Sequence, residues 1–163
     1  MLHSATHKTP IGDLSIIVED HVLLAAGFKS LENLIDRLSP IDADKEIKLI
    51  GKIPVISELI SDYFDGNLNA FNPIKVRQPG AKFSQEVWKA MRKIPAGKTL
   101  SYAELAKRAG SADAIRAAGT ACGNNLIAPI IPCHRIIKSG GALGNYGYGL
   151  KIKEWLLTHE GAF

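Results

Sequence analysis

An α+β fold in two parts is predicted by three features of this sequence. Near the start, the apolar runs Leu14–Val18 and Val22–Ala26 flank Glu19-Asp20-His21, the layout of a hairpin. Further on, apolar residues recur at helical spacing and strand signals become sparse. The charge also changes sign midway: residues 1–81 carry 8 Lys/Arg against 11 Asp/Glu, and residues 82–163 carry 12 against 5. These features predict a small N-terminal domain of mixed strands and helices over residues 1–78. A mostly helical domain follows over residues 79–163, joined through the loop of Asn72-Pro73 and Gln78-Pro79-Gly80.

Within the first part, Leu31, Leu34, Ile35 and Leu38 predict a helix stopped by Pro40. Val55, Ile56, Leu59, Ile60 and Tyr63-Phe64 predict another, ending near Gly66. Nothing in this stretch carries chemistry. In the second part, Ser84 is placed to cap a helix bearing Val87, Trp88, Met91 and Ile94, halted by Pro95 and Gly97. Ser101-Tyr102-Ala103-Glu104 has the spacing of a capping box, in which hydroxyl and carboxylate satisfy each other's orphan amides. That helix runs to Ala109 and stops at Gly110, a residue suited to the left-handed cap. Ser111 then caps a helix from Ala112 to about Cys122.

Two short helices around a Gly-Ser turn have the layout of a helix-turn-helix. The second is built mostly of Ala and Gly, with Arg116 as its one long central side chain. Such a helix suits close approach to a DNA groove, and it equally suits tight packing in a core. Charge leaves the same pair of readings: a net +7 half fits a nucleic-acid partner, and it also fits a lysine-rich solvated surface.

With 163 residues, 46% of them hydrophobic and 22% charged, the chain has the make-up of an ordinary globular protein. No apolar run approaches the roughly 20 residues needed to cross a bilayer, and the N-terminus lacks the layout of a signal peptide. Two cysteines without an export signal, Cys122 and Cys133, read as free thiols in a reducing compartment.

Residues 130–137, Ile-Ile-Pro-Cys-His-Arg-Ile-Ile, read as a buried strand interrupted by a rigid bend. A thiolate is the attacking form of cysteine, and a nearby His activates it. Arg135 would add positive potential. A cysteine in an apolar run can also be an inert core residue, but a His and an Arg buried beside it would be costly without a purpose. In an extended segment neighbouring side chains point to opposite faces, so a bend or a bridging water is needed between Cys133 and His134.

Pro132-Cys133-His134-Arg135 is preceded by Asn125 and followed by Gly144-Asn145-Tyr146 and by Lys153-Glu154-Trp155-Leu156-Leu157-Thr158-His159-Glu160-Gly161. This set resembles the O6-alkylguanine-DNA alkyltransferase family, densely over residues 83–161. The resemblance implies direct-reversal DNA repair by a suicide reaction. An alkyl group passes once and irreversibly from O6-alkylguanine, with O4-alkylthymine as a candidate second lesion, to the Cys133 sulfur of a flipped-base complex. It also implies a monomer acting on double-stranded DNA that carries alkylated bases. No membrane, cofactor or metal takes part, and the setting is the cytoplasm, or the nucleus in a eukaryote.

Carried over by position, Cys133 is the acceptor, His134 its base through a water, and Glu160 the group that orients and charge-stabilises that histidine. Asn125 is a hinge between the recognition helix and the cysteine loop. Tyr102 crowds the phosphate and donates to the leaving guanine, and Arg116 fills the space of the flipped base. Ser111, Ala114 and Arg135 join the DNA contacts. Tyr146, Gly144, Asn145, Tyr148, Cys122 and Ala128 form the alkyl pocket, while Trp155 and Leu156 pack the last helix. Ala128, in Leu126-Ile127-Ala128-Pro129, departs from the common pattern and implies a wider pocket. Tyr148, where glycine is common, implies a stiffer wall.

Three other classes compete. A non-catalytic alkyltransferase-like lesion binder would lack the cysteine. A Cys-His thiol hydrolase would leave Arg116 and the basic half without a task, and a helix-turn-helix regulator would leave Cys133-His134 without one.

Overall fold

The hairpin forms where the apolar runs place it. A computed structural model describes residues 1–163 and divides the chain into two compact units, Met1–Pro79 with Leu126–Ile130, and Gly80–Asn125 with Ile131–Phe163. In the first unit, β1 (Leu2–Thr9), β2 (Gly12–Glu19), β3 (Val22–Gly27) and β4 (Ile47–Leu49) make one sheet in the order β3-β2-β1-β4. Asp20 and His21 both take positive φ (50° and 65°), the turn whose twist matches the strands it joins. β2 pairs antiparallel with β1 and β3, and β4 runs parallel to β1.

α1 (Leu31–Arg37) forms where the spacing predicts a helix, with Ser30 as its cap. Pro40 does end that element, but it also opens a further short helix: α2 (Pro40–Ala43) carries it at N1 behind a Ser39 cap, where its missing N–H costs nothing. The next predicted helix is α3 (Ile56–Phe64). The core gathers Leu2, Ile17, Leu24, Ala25, Leu34 and Leu126. Leu126 arrives with a segment that adds to β3: Ala26 N donates to Leu126 O (2.8 Å) and Ala128 N donates to Ala26 O (3.2 Å). The Gln78 side-chain carbonyl caps the Leu126 amide.

The second unit contains α4 (Lys82–Arg92), α5 (Tyr102–Arg108), α6 (Ile115–Gly123) and α7 (Leu150–His159), with β5 (Leu100–Ser101) parallel to β6 (Ile136–Ile137). Trp88 of α4 donates its indole N–H to Ala121 O on α6 at 2.9 Å. The capping box is complete, with Ser101 Oγ accepting from Glu104 N and Glu104 Oε1 accepting from Ser101 N, each at 3.1 Å. Gly110 takes φ +102° just past α5, a conformation that a Cβ would strain.

Two helix starts differ from the sequence reading. α4 begins at Lys82 behind Ala81, with no side-chain cap, so Ser84 sits inside its first turn. α6 begins at Ile115 and not at Ala112, because Ser111 O is taken by the Ala114 amide (3.0 Å) in a separate turn. No helix is long and apolar enough to cross a membrane.

Candidate active site

Cys133 does not interrupt a strand. Pro132 carries the chain into a single 3-10 turn, Cys133–Arg135, closed by Arg135 N on Pro132 O at 3.0 Å, and only then does β6 begin. The turn supplies the bend that an extended segment lacks, and it leaves Cys133 half-buried while His134 and Arg135 turn inward. Asn125, buried past the end of α6, donates through Nδ2 to Ile131 O (2.8 Å) and to Cys133 Sγ (3.3 Å). One amide thus fixes the entry to the turn and offers the sulfur a hydrogen bond that strengthens when the sulfur is charged.

Behind the turn lies a buried charge set. Glu160, just past α7, accepts from His134 Nε2 at 2.9 Å. The same carboxylate takes a two-pronged grip from Arg135, Nε to Oε1 and Nη2 to Oε2, both at 2.9 Å, while Arg135 Nη1 donates to Ile94 O at 2.6 Å. Burial pushes Glu160 toward protonation, but the hydrogen bonds from His134 and Arg135 and the Arg135 charge more than reverse this, so its carboxyl sits well below the usual range. An ionised carboxylate only accepts, so Nε2 of neutral His134 carries the hydrogen. Nδ1 is left as the acceptor, buried and without a protein hydrogen-bond partner. Burial also holds the His134 pKa down against the pull of Glu160. The result is a neutral imidazole with one lone pair available, the form a general base requires.

Arg135 must therefore be reassigned. Its guanidinium is committed to Glu160 and Ile94 inside the unit, so it is neither a DNA contact nor a free positive field for the sulfur.

The other predicted residues distribute as follows. Tyr102, at the start of α5, lies between two glycines: a Cβ on Gly144 (φ +74°) would stand 3.5 Å from its hydroxyl, and one on Gly119 would stand 3.8 Å from its ring. Burial, joined by negative charge on Cys133, raises its pKa and keeps the hydroxyl protonated. Tyr146 and Tyr148 pack edge to face, centroids 5.6 Å apart, which stiffens that loop. Asn145 is exposed but gives its main-chain carbonyl to Lys153 at 3.2 Å. Cys122 packs its sulfur 3.9 Å from Met91 Sδ, and burial pushes its thiol up to about 12. Arg116 is exposed near the start of α6, with Ala114 and Ser111 half-buried before it. Leu156 is buried, and Trp155 stacks on His159 at 4.7 Å.

Ala128 lies in the segment between Asn125 and Ile131. It belongs to the first unit, fully buried, with its amide on β3. Sequence reasoning also missed Lys153, quoted only as part of the motif and found buried on α7. An isolated lysine between Ile152 and Glu154 carries no pattern that would mark it.

The His134–Glu160 pair gives a test by pH. Because folding lowers the His134 pKa, its stabilising contribution is full above the ordinary value of 6.5 and is lost as pH falls toward the folded value; Glu160, also lowered, follows below its ordinary 4.5. Melting temperatures should therefore fall in two stages on acidification. His134→Gln should flatten the first stage. An unchanged first stage would assign it to His7, whose pKa burial also lowers.

A half-buried cysteine bonded by an amide, backed by a His-Glu-Arg set and carried beside a helix-turn-helix, defines a thiol-nucleophile protein with a DNA-binding framework. Comparison with known proteins narrows the class. Residues 82–162 match the family described as 6-O-methylguanine DNA methyltransferase, DNA binding domain. The methylated-DNA–protein-cysteine methyltransferase of Salmonella typhimurium is 43% identical over 106 residues, covering 65% of this chain and 62% of that protein. The match thus spans less than two thirds of that relative. The enzyme of the same name from Shigella flexneri is 36% identical over 157 residues, covering 94% of this chain and 92% of that one. Among solved structures, Mycobacterium tuberculosis OGT in complex with DNA superposes with a TM-score of 0.83 at 35% identity, covering 98% of this chain and 93% of that one. The chain belongs to the O6-methylguanine DNA methyltransferase family.

Proposed function

We propose that this protein repairs DNA by moving an alkyl group from guanine O6 to Cys133 in one irreversible step. The observation that carries this reading is the hydrogen bond from Asn125 Nδ2 to Cys133 Sγ, with the His134–Glu160–Arg135 set buried directly behind it. The buried set holds a base in its neutral form, and the amide stabilises charge on the sulfur. The thiolate attacks the alkyl carbon, the S–C bond forms as the C–O6 bond breaks, and guanine leaves with the electron pair. The cysteine proton passes to His134 Nδ1 through a water, and the Tyr102 hydroxyl donates to the departing base.

The product is a thioether, which water does not cleave, so each molecule acts once. Thiol and alkylated base balance the reaction without a cofactor. Double-stranded DNA is the partner, the target base is extruded from the stack, and the protein works as a monomer in a reducing compartment. The Shigella and Salmonella relatives are named for this transfer, and the mycobacterial neighbour was solved with DNA.

Mass spectrometry after incubation with duplex carrying O6-methylguanine tests the reading. One methyl should appear, on the peptide holding Cys133, and no second turnover should follow. Catalytic turnover without a mass gain would favour a thiol hydrolase and end the proposal. Arg116 gives a second test, since it is exposed on α6 beside the half-exposed Ile115. Arg116→Ala should slow repair in duplex at least about tenfold more than reaction with free O6-benzylguanine, because extrusion of the base costs a few kcal/mol. Equal losses on both substrates would make Arg116 structural. Affinity for duplex should also fall with added salt, as phosphate contacts release counterions.

A further inference from the structure

β1 is paired on both sides over only part of its length. β4 covers Leu2–Ser4 and no further, the last rung being Ile50 N on Ser4 O at 2.9 Å. At the first rung Leu2 N donates to Glu46 O at 2.8 Å, so Leu2 and Ser4 turn their peptide groups toward β4. Alternation along a strand sends those of Thr6 and Lys8 to the same side. There the chain has already turned away through Gly51 and Lys52, so two N–H and two C=O groups face an open edge.

This edge opens onto a cleft of about 580 Å³ within the first unit, walled on the far side by α3. The two walls are pinned together. His7, on the face of β1 toward α3, meets Ser57 Oγ through Nε2 at 2.7 Å and Leu14 O through Nδ1 at 3.3 Å. A carbonyl only accepts, so Nδ1 carries the hydrogen and the Ser57 hydroxyl donates to Nε2. Along the rim α3 contributes Glu58, Asp62 and Asp65, exposed carboxylates at i, i+4 and i+7 and hence on one helix face. α3 carries no cation of its own to answer them.

An unpaired edge beside a groove is the setting in which an extended peptide adds to a sheet. The main chain then gives affinity and alternate side chains give selectivity. Charge decides which peptide. Side chains on the His7 face of an added strand meet the α3 carboxylates, and those on the other face lie beside Lys8. A second copy of this chain fits poorly, because pairing two such edges brings the lysines of one beside those of the other, and Pro10 offers no further N–H. We propose that the Thr6–Lys8 edge and the acidic face of α3 form a docking groove for an extended segment of a partner protein, with basic side chains at every second position and uncharged ones between. The first unit then recruits a partner, a task separate from the chemistry at Cys133.

The test uses the full chain and a synthetic heptapeptide, acetyl-Thr-Lys-Thr-Lys-Thr-Lys-Thr-amide, with amide hydrogen exchange read residue by residue by NMR. In the free protein the Thr6 and Lys8 amides should exchange at least about tenfold faster than those of Ala5 and His7, which face β2. Peptide is titrated to about 5 mM, beyond the range of weak contacts. At saturation the Thr6 and Lys8 amides should slow by at least about tenfold. Replacing the acids together, Glu58→Gln, Asp62→Asn and Asp65→Asn, should weaken binding at least about tenfold, the scale of three exposed ion pairs. Methyl transfer to Cys133 should be unchanged in that variant. A peptide of the same composition with its lysines in one block should bind more weakly than the alternating one. Thr6 and Lys8 amides still unprotected at the end of the titration overturn the proposal, as does a triple variant that binds like the parent. Equal binding of the two peptides overturns it as well, because negative charge alone then suffices. Protection that appears without peptide and grows with protein concentration assigns the edge to a second copy and overturns the partner. None of these readouts uses alkylated DNA, so failure of the Cys133 reading leaves them standing.

Discussion

Cys133→Ala protein should bind duplex DNA and melt near the parent temperature but gain no methyl group from O6-methylguanine. Folding survives because Asn125 Nδ2 keeps its 2.8 Å bond to Ile131 O when its bond to the sulfur is lost. An unmet buried N–H costs about 1–3 kcal/mol, and the half-exposed position of Cys133 lets solvent offset part of that. Transfer disappears because no second group can take over. Cys122 is the other thiol, but with its pKa near 12 fewer than about one molecule in 10⁴ carries the thiolate at neutral pH. Its sulfur also packs on Met91. Cys122→Ser should accordingly keep transfer within a few-fold. A methyl found on the Cys133→Ala protein, at any residue, would remove Cys133 from its assigned role, and intact mass measurement suffices to see it.

Much of the second unit could be read from residues, because local chemistry determines it. The Ser101–Glu104 capping box and the stop at Gly110 each depend on a few neighbouring side chains. The hairpin of β2 and β3 was legible for the same reason. β1 was not, since Leu2–Thr9 alternates weakly and buries the polar Ser4 beside Leu2 and Ala5. β4 was missed because three residues pairing parallel with a distant strand leave no periodic trace. Arg135 and the Leu126–Ile130 segment show the limit more sharply. The chain leaves the second unit at Leu126, adds five residues to the first, and returns at Ile131, a path that no local pattern marks. Arg135 neighbours the nucleophile, but the 3-10 turn rotates it inward toward a carboxylate 25 residues away. A long-range ion pair of this kind has no spacing signature. Lys153 escaped notice for the same reason, because its partners are carbonyls, which every residue possesses.

Glu160→Gln should be the most damaging substitution that leaves Cys133 in place. Glutamine keeps the shape but removes the charge that two buried partners share. Arg135 would remain as a buried cation with one amide oxygen and Ile94 O to satisfy it, and breaking a buried pair from one side costs about 3–5 kcal/mol. For a unit of this size that cost lowers the melting temperature by more than roughly 10 °C. The chemistry should suffer separately. The glutamine NH2 group turned toward His134 would face the Nε2 hydrogen, and the imidazole escapes by moving its proton to Nδ1. That tautomer places a donor where the base must accept. Transfer measured well below the melting point should therefore fall at least about a hundredfold, the usual scale for losing a positioned base. Glu160→Asp separates the two effects, because it restores the charge but is one methylene too short to hold His134 Nε2 and both prongs of Arg135 together. It should recover more stability than rate. If Glu160→Gln melts with the parent, the fork to Arg135 does not hold this unit. If it melts low but transfers at the parent rate, His134 is not the base and another acceptor must take the cysteine proton.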